Sequence, residues 1–163
     1  MILQYFNKKE NKDKIIAVDQ YKKILTESRV FLNENNFFKV NDYKTSFEII
    51  SIFLIMFIRK NLLEYNRELY LKVNEELVSI FISDLDESLR EKGIGDMSIG
   101  KYVKSYVKKF YFRISKFPKD NNVYKNETFI EYLKITDLIK NDDYVNVSRK
   151  FQDKFSNFIN SSK

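Results

Sequence analysis

Cysteine, histidine and tryptophan are all absent from this 163-residue chain, which also holds only 3 glycines and 1 proline. Without thiols there is no disulfide framework, no thiolate metal site and no cysteine nucleophile. Without imidazole, the commonest transition-metal ligand and the general base that works unaided near neutral pH are both missing. Zinc hydrolases, Ser-His-Asp triads and two-histidine di-iron bundles are excluded by this inventory. The scarcity of glycine and proline, with no Asn-Gly or Asp-Gly pair, removes the turn chemistry that a sandwich or barrel needs at each hairpin. An all-α protein remains, with a composition suited to binding more than to catalysis.

Long apolar runs are missing too. The strongest, Phe47 to Ile58, is interrupted by Glu48 and Ser51 and falls well short of the roughly 20 residues that cross a bilayer. It predicts a core helix. The first residues, Met1-Ile2-Leu3-Gln4-Tyr5-Phe6 followed by Asn7-Lys8-Lys9-Glu10, have neither the apolar core of a signal peptide nor the arginine-rich, acid-poor character of a transit peptide. That pattern predicts a cytoplasmic address.

What is present is enough to fold: 44% hydrophobic, 16% aromatic and 32% charged residues are too apolar for disorder and can fill a dense core. The length corresponds to one domain. We expect a single all-α domain over 1–163, an irregular helical bundle of about five to seven helices. Net charge is +6, which suits an anionic partner such as RNA or a membrane surface. The richness in Lys, Asn and Ile also fits the codon bias of an AT-rich genome.

Apolar residues at three- and four-residue spacings predict a first helix from Lys12 to Leu32. After the polar break Asn33-Glu34-Asn35-Asn36, the residues Phe37, Phe38 and Val40 read as a short docking segment. Asp42 or Thr45 can cap the next helix, which runs through Arg59 and is apolar on nearly all sides, so it should occupy the centre. A third helix, Asn66 to Lys92, ends at Gly93 and Gly95, and Asp96 is placed to cap a fourth that Pro118 closes. Two shorter amphipathic helices, Thr128 to Ile139 and Tyr144 to Ile159, are joined by Asn141-Asp142-Asp143.

Two constellations stand out. Asp84, Glu87 and Glu91 share a helix face, while Arg90 follows Asp86 by four residues and Glu87 by three, within pairing reach of either. Carboxylates gathered on one turn repel unless something compensates. A hard cation such as Mg²⁺ or Ca²⁺ is one solution; Arg90 is the other, and the one we prefer. The following helix carries Lys101, Lys104, Lys108, Lys109, Arg113 and Lys116, interleaved with Tyr102, Tyr106, Tyr111 and Phe112. Such a stripe can neutralise the phosphates of RNA or anionic lipid, or it can be a solvated face.

At these residues the chain resembles the ubiquinol-cytochrome c chaperone family, assembly factors of the cytochrome bc1 complex. The resemblance rests on Asp84-Leu85-Asp86, Leu89-Arg90-Glu91, Gly93-Ile94-Gly95-Asp96, Lys101 and Phe110-Tyr111 with Arg113. A second stretch, Phe47-Glu48-Ile49-Ile50 through Arg59-Lys60, is similar to the family's apolar helix that ends in basic residues, so the likeness spans roughly 47–116. The family often carries a histidine where Phe53 stands, a proline where Gly100 stands and a glycine where Phe112 stands; these departures mark a divergent member.

The resemblance implies a non-enzymatic helical chaperone with no cofactor, no metal and no small-molecule substrate. Its partners would be newly made cytochrome b, the ribosome or an anionic inner-membrane surface, and a small partner protein. It puts Asp84, Asp86, Arg90, Glu91, Gly93, Gly95 and Asp96 at the motif corner, with Lys101, Tyr111 and Arg113 on the next helix. Two readings stand beside it. A basic helical module binding RNA or the ribosome needs no membrane-protein client, and a carboxylate-based, metal-dependent enzyme needs a divalent cation near Asp84 to Asp96.

Overall fold

A computed structural model of the chain describes residues 2–34, 36–119 and 126–160, with side chains from 12–34, 36–119 and 127–160. Among the described residues six helices follow one another: α1 (Ile2–Glu34), α2 (Tyr43–Asn61), α3 (Arg67–Glu91), α4 (Asp96–Lys116), α5 (Asn126–Thr136) and α6 (Tyr144–Asn160). The all-α expectation holds. α1 begins ten residues earlier than its periodicity announces, at Ile2 and not Lys12.

α2 is the axis of the bundle. It buries every residue from Phe47 to Phe57 except the half-buried Ile50, because apolar side chains surround the helix and each side has to meet another element. Asp42 caps it: the Asp42 carboxylate accepts a 2.9 Å hydrogen bond from the Thr45 N–H, while the Thr45 hydroxyl turns back to the Val40 carbonyl. Of the two candidate caps, the aspartate takes the position.

Aromatic rings lock the helices around this axis. Phe31 of α1 stacks on Phe151 of α6 at 4.2 Å and meets Phe53 of α2 edge-on at 5.8 Å. Glu27 and Lys23 of α1 meet Lys154 and Phe158 of α6, so the two helices run antiparallel. On the other side Phe47, Phe81 and Phe110 join α2, α3 and α4. A buried amide chain adds direction where α2 ends. Asn61 hydrogen-bonds Gln20 of α1 and Asn74 of α3, and Asn74 reaches the Ile58 carbonyl.

The segment Phe37 to Val40 docks against the turn after α5. Phe38 pairs with Ile139 in an isolated antiparallel bridge, with Lys39 N–H to the Leu138 carbonyl and Lys140 N–H to the Phe37 carbonyl, both at 2.8 Å. α5 therefore stops at Thr136, short of the Ile139 that periodicity suggests. Asp137 takes a left-handed φ of 53° and turns the chain into the bridge, a conformation aspartate tolerates better than most residues. Asn141 and Asp142, at φ 56° and 52°, make the second turn that starts α6.

Candidate partner-binding surface

α3 hands over to α4 at the glycine corner. Gly93 has φ 88°, its N–H bonds the Arg90 carbonyl at 2.8 Å, and the Ile94 N–H bonds the Leu89 carbonyl at 3.2 Å. These two bonds satisfy carbonyls that a helix end otherwise leaves bare, and the left-handed residue between them is glycine because it has no Cβ to clash. The cap of α4 differs from expectation. Gly95 occupies the N-cap without a side-chain hydrogen bond, and Asp96 is the first helical residue. Its carboxylate is drawn instead to Arg90, where it still sits favourably at the positive end of the helix.

Arg90 closes the corner. Its Nε donates to Asp86 Oδ1 at 2.5 Å and its Nη1 donates to Asp96 Oδ1. Asp86 and Asp96 hold the guanidinium proton more firmly than usual, through their hydrogen bonds first and their charge second. The acidic face is thus divided among partners. Asp84 accepts a 2.7 Å hydrogen bond from the Tyr21 hydroxyl of α1, Asp86 and Asp96 share Arg90, and Glu87 and Glu91 are exposed. Among the described residues no group of three or more carboxylates could hold a metal ion.

Along α4 the basic residues separate into two sets. Lys101, Lys104, Lys108 and Lys116 are exposed, as are Tyr102, Tyr111 and Phe112. Lys109 and Arg113 belong elsewhere. Arg113 is 6% exposed and grips Glu48 of α2 with a two-pronged pair, Nε to Oε2 at 2.7 Å and Nη2 to Oε1 at 2.6 Å. Lys109 Nζ lies 2.7 Å from the same carboxylate. Both cations are directed at Glu48, Arg113 from a buried position and Lys109 from a partly exposed one, because Glu48 is 1% exposed and a buried charge requires a partner. Burial works against the Arg113 charge, but the Glu48 hydrogen bonds and charge outweigh it and raise its pKa.

Sequence reasoning missed Glu48, although a signal existed. It is the one acid inside the Phe47 to Ile58 run, and Arg113 follows the buried Phe110 by three residues, on the apolar stripe of α4.

The titration pattern gives one prediction here. Tyr21 and Tyr132 are raised, chiefly by burial, then by the hydrogen bond to Asp84 and by the charge of Glu48 respectively. Asp42 is lowered, chiefly by the Thr45 N–H. Above about pH 10 unfolded tyrosines lose protons that the native ones keep, so stability falls as pH rises. Below about pH 4 the unfolded Asp42 takes up a proton that the native one resists, so stability falls again. With neither histidine nor cysteine, we expect the melting temperature to stay level from about pH 6 to 9. A step inside that window, recorded by circular dichroism melts, would contradict this assignment.

Comparison with known proteins agrees with this architecture. The family described as Ubiquinol-cytochrome C chaperone matches residues 38–126, from the docking segment through α4. The chain is similar in structure to the crystal structure of the Cbp3 homolog from Brucella abortus. The TM-score is 0.68 and 24% of residues are identical, with 93% of this chain and 84% of that one covered. No curated protein matches the chain. Among the described residues no helix is long and apolar enough to cross a membrane. With more than half of its length matched by the family, the chain belongs to the ubiquinol-cytochrome c chaperones.

Proposed function

We propose that the protein is a non-enzymatic assembly chaperone that binds newly made cytochrome b and promotes assembly of the ubiquinol-cytochrome c reductase (bc1) complex. The observation that carries this reading is the family match across α2, α3 and α4. The whole chain acts as one unit in this role, in the cytoplasm beside the inner membrane, with the ribosome and a small partner protein as neighbours. No cofactor, metal or small-molecule substrate enters it.

The motif residues divide by what they do in the corner. Asp84, Asp86, Arg90, Gly93 and Gly95 shape the corner from within its own hydrogen bonds, and Arg113 anchors α4 to the core. Glu91, Asp96, Lys101 and Tyr111 are exposed and are the residues we assign to client contact. Met97, fully exposed beside Asp96, gives that edge a flexible apolar side chain of the kind that adapts to varied hydrophobic segments.

The test is purification of the tagged protein after brief crosslinking during translation, with mass spectrometry of what comes down. Enrichment of cytochrome b supports the reading. Recovery of RNA and ribosomal proteins without cytochrome b overturns it in favour of a ribosome-binding module.

A further inference from the structure

α3 and α4 are antiparallel neighbours of opposite sign. α3 carries seven acidic and three basic residues, whereas α4 carries one acid, Asp96, and six basic residues. The acid of α4 is already paired with Arg90, and two of its bases are spent on Glu48. What remains outward is purely cationic. Lys101, Lys104, Lys108 and Lys116 take part in none of the ion pairs among the described residues. Lys101, Lys104 and Lys108 follow one another at three and four residues, which puts their ammonium groups on one side of the helix.

Among these lysines the same face exposes two large apolar side chains, Met97 at 102% and Phe112 at 47%, with Tyr111 on one flank and Tyr102 on the opposite one. α4 has 21 residues, which makes a convex rod about 30 Å long with no groove to track a single strand. Phe112 is also poorly placed to stack on a base, since Lys116 Nζ and Arg113 Cζ lie 5.6 and 5.8 Å from its ring centroid. Cations over a half-exposed ring suit a different neighbour. In the headgroup layer of a bilayer the ammonium groups meet phosphates while the ring and thioether enter the acyl boundary.

We infer that the face of α4 formed by Met97, Lys101, Lys104, Lys108, Phe112 and Lys116 is a docking surface for an anionic phospholipid bilayer. The helix lies flat on the membrane. The acid-rich α3 is repelled by the same surface, so the protein is held in one orientation, with α4 down. This deepens the chaperone reading by naming the membrane-facing side, and its test contains no client, so the two can fail separately.

The experiment is co-sedimentation of the full chain with vesicles of phosphatidylcholine alone and of phosphatidylcholine mixed with phosphatidylglycerol. Binding to the mixed vesicles only, weakening steeply with added salt, is the expected result. The quadruple variant Lys101→Gln, Lys104→Gln, Lys108→Gln, Lys116→Gln should bind them roughly five hundredfold more weakly, at roughly fivefold per lysine. A control quadruple that loses the same charge elsewhere, at the exposed Lys12, Lys14, Lys22 and Lys44, should keep most of the binding. Met97→Ser with Phe112→Ser should lower affinity while leaving its salt dependence unchanged, and helicity by circular dichroism reports that all variants fold. Equal losses in both quadruples would reduce the effect to net charge and overturn the proposal. So would no binding to either vesicle, or displacement of the protein from vesicles by a ribosomal RNA fragment at lower concentration than phosphatidylglycerol requires.

Discussion

Replacing Glu48 by alanine is expected to destabilise the protein by about 3–5 kcal/mol, the cost of stranding a buried charge. In a chain of this size each kcal/mol moves the melting temperature by roughly 2–4 °C, so the drop should be on the order of 10 °C. The reason lies in what is left behind. Arg113 is 6% exposed, and without Glu48 its guanidinium has neither a counter-charge nor acceptors for Nε and Nη2. Arg113→Ala should cost a similar amount by stranding Glu48, although Lys109, being partly exposed, offers some relief. Glu48→Met combined with Arg113→Leu should recover most of the loss, because a well-packed apolar pair needs no compensation. Urea denaturation of the three variants checks this. Single variants that unfold like the wild type would mean that water already reaches the pair.

Phe53→Ala is the second large effect, again about 3–5 kcal/mol. The ring is fully buried and lies 5.8 Å from Phe31, 5.8 Å from Phe151 and 6.0 Å from Phe158, so its loss opens a cavity where α1, α2 and α6 meet. Hydrogen exchange should show the damage in α6 more than in α4, whose rings pack on Phe47 and Phe81 instead. Phe53→His is informative for a different reason. An imidazole among these rings is held neutral, so its pKa falls below the unfolded value. The unfolded state then binds more protons below about pH 6.5, and the variant should lose stability as pH falls through that point. A wild-type-like, level profile for Phe53→His between pH 5 and 8 would show that the pocket admits water.

The features legible in the sequence were the local ones. Gly93 announced its own left-handed turn, and the i, i+4 spacing of Asp86 and Arg90 announced their pairing, because both depend on residues within one helical turn of each other. The apolar run from Phe47 announced a central helix by having no polar face to turn outward. What stayed hidden joins distant parts of the chain. Nothing near Phe38 names Ile139 as its bridge partner, and nothing near Arg113 names Glu48. Charge counting grouped Arg113 with its lysine neighbours, whereas its register with Phe110 puts it on the buried stripe. Asp96 was misplaced by a single position, since its competing attraction to Arg90 is a tertiary contact that capping preferences ignore.

The seam between α1 and α6 has a consequence for how the protein comes into being. A ribosome delivers α1 early, but Phe31 receives its stacking partner Phe151 only when nearly all the chain has emerged. Until then α1 and α2 hold Phe31, Phe53 and Phe57 without Phe151 and Phe158 of α6. The unfinished molecule therefore exposes apolar rings whose cover arrives late and from far along the chain, the kind of long-range closure that slows folding and invites aggregation.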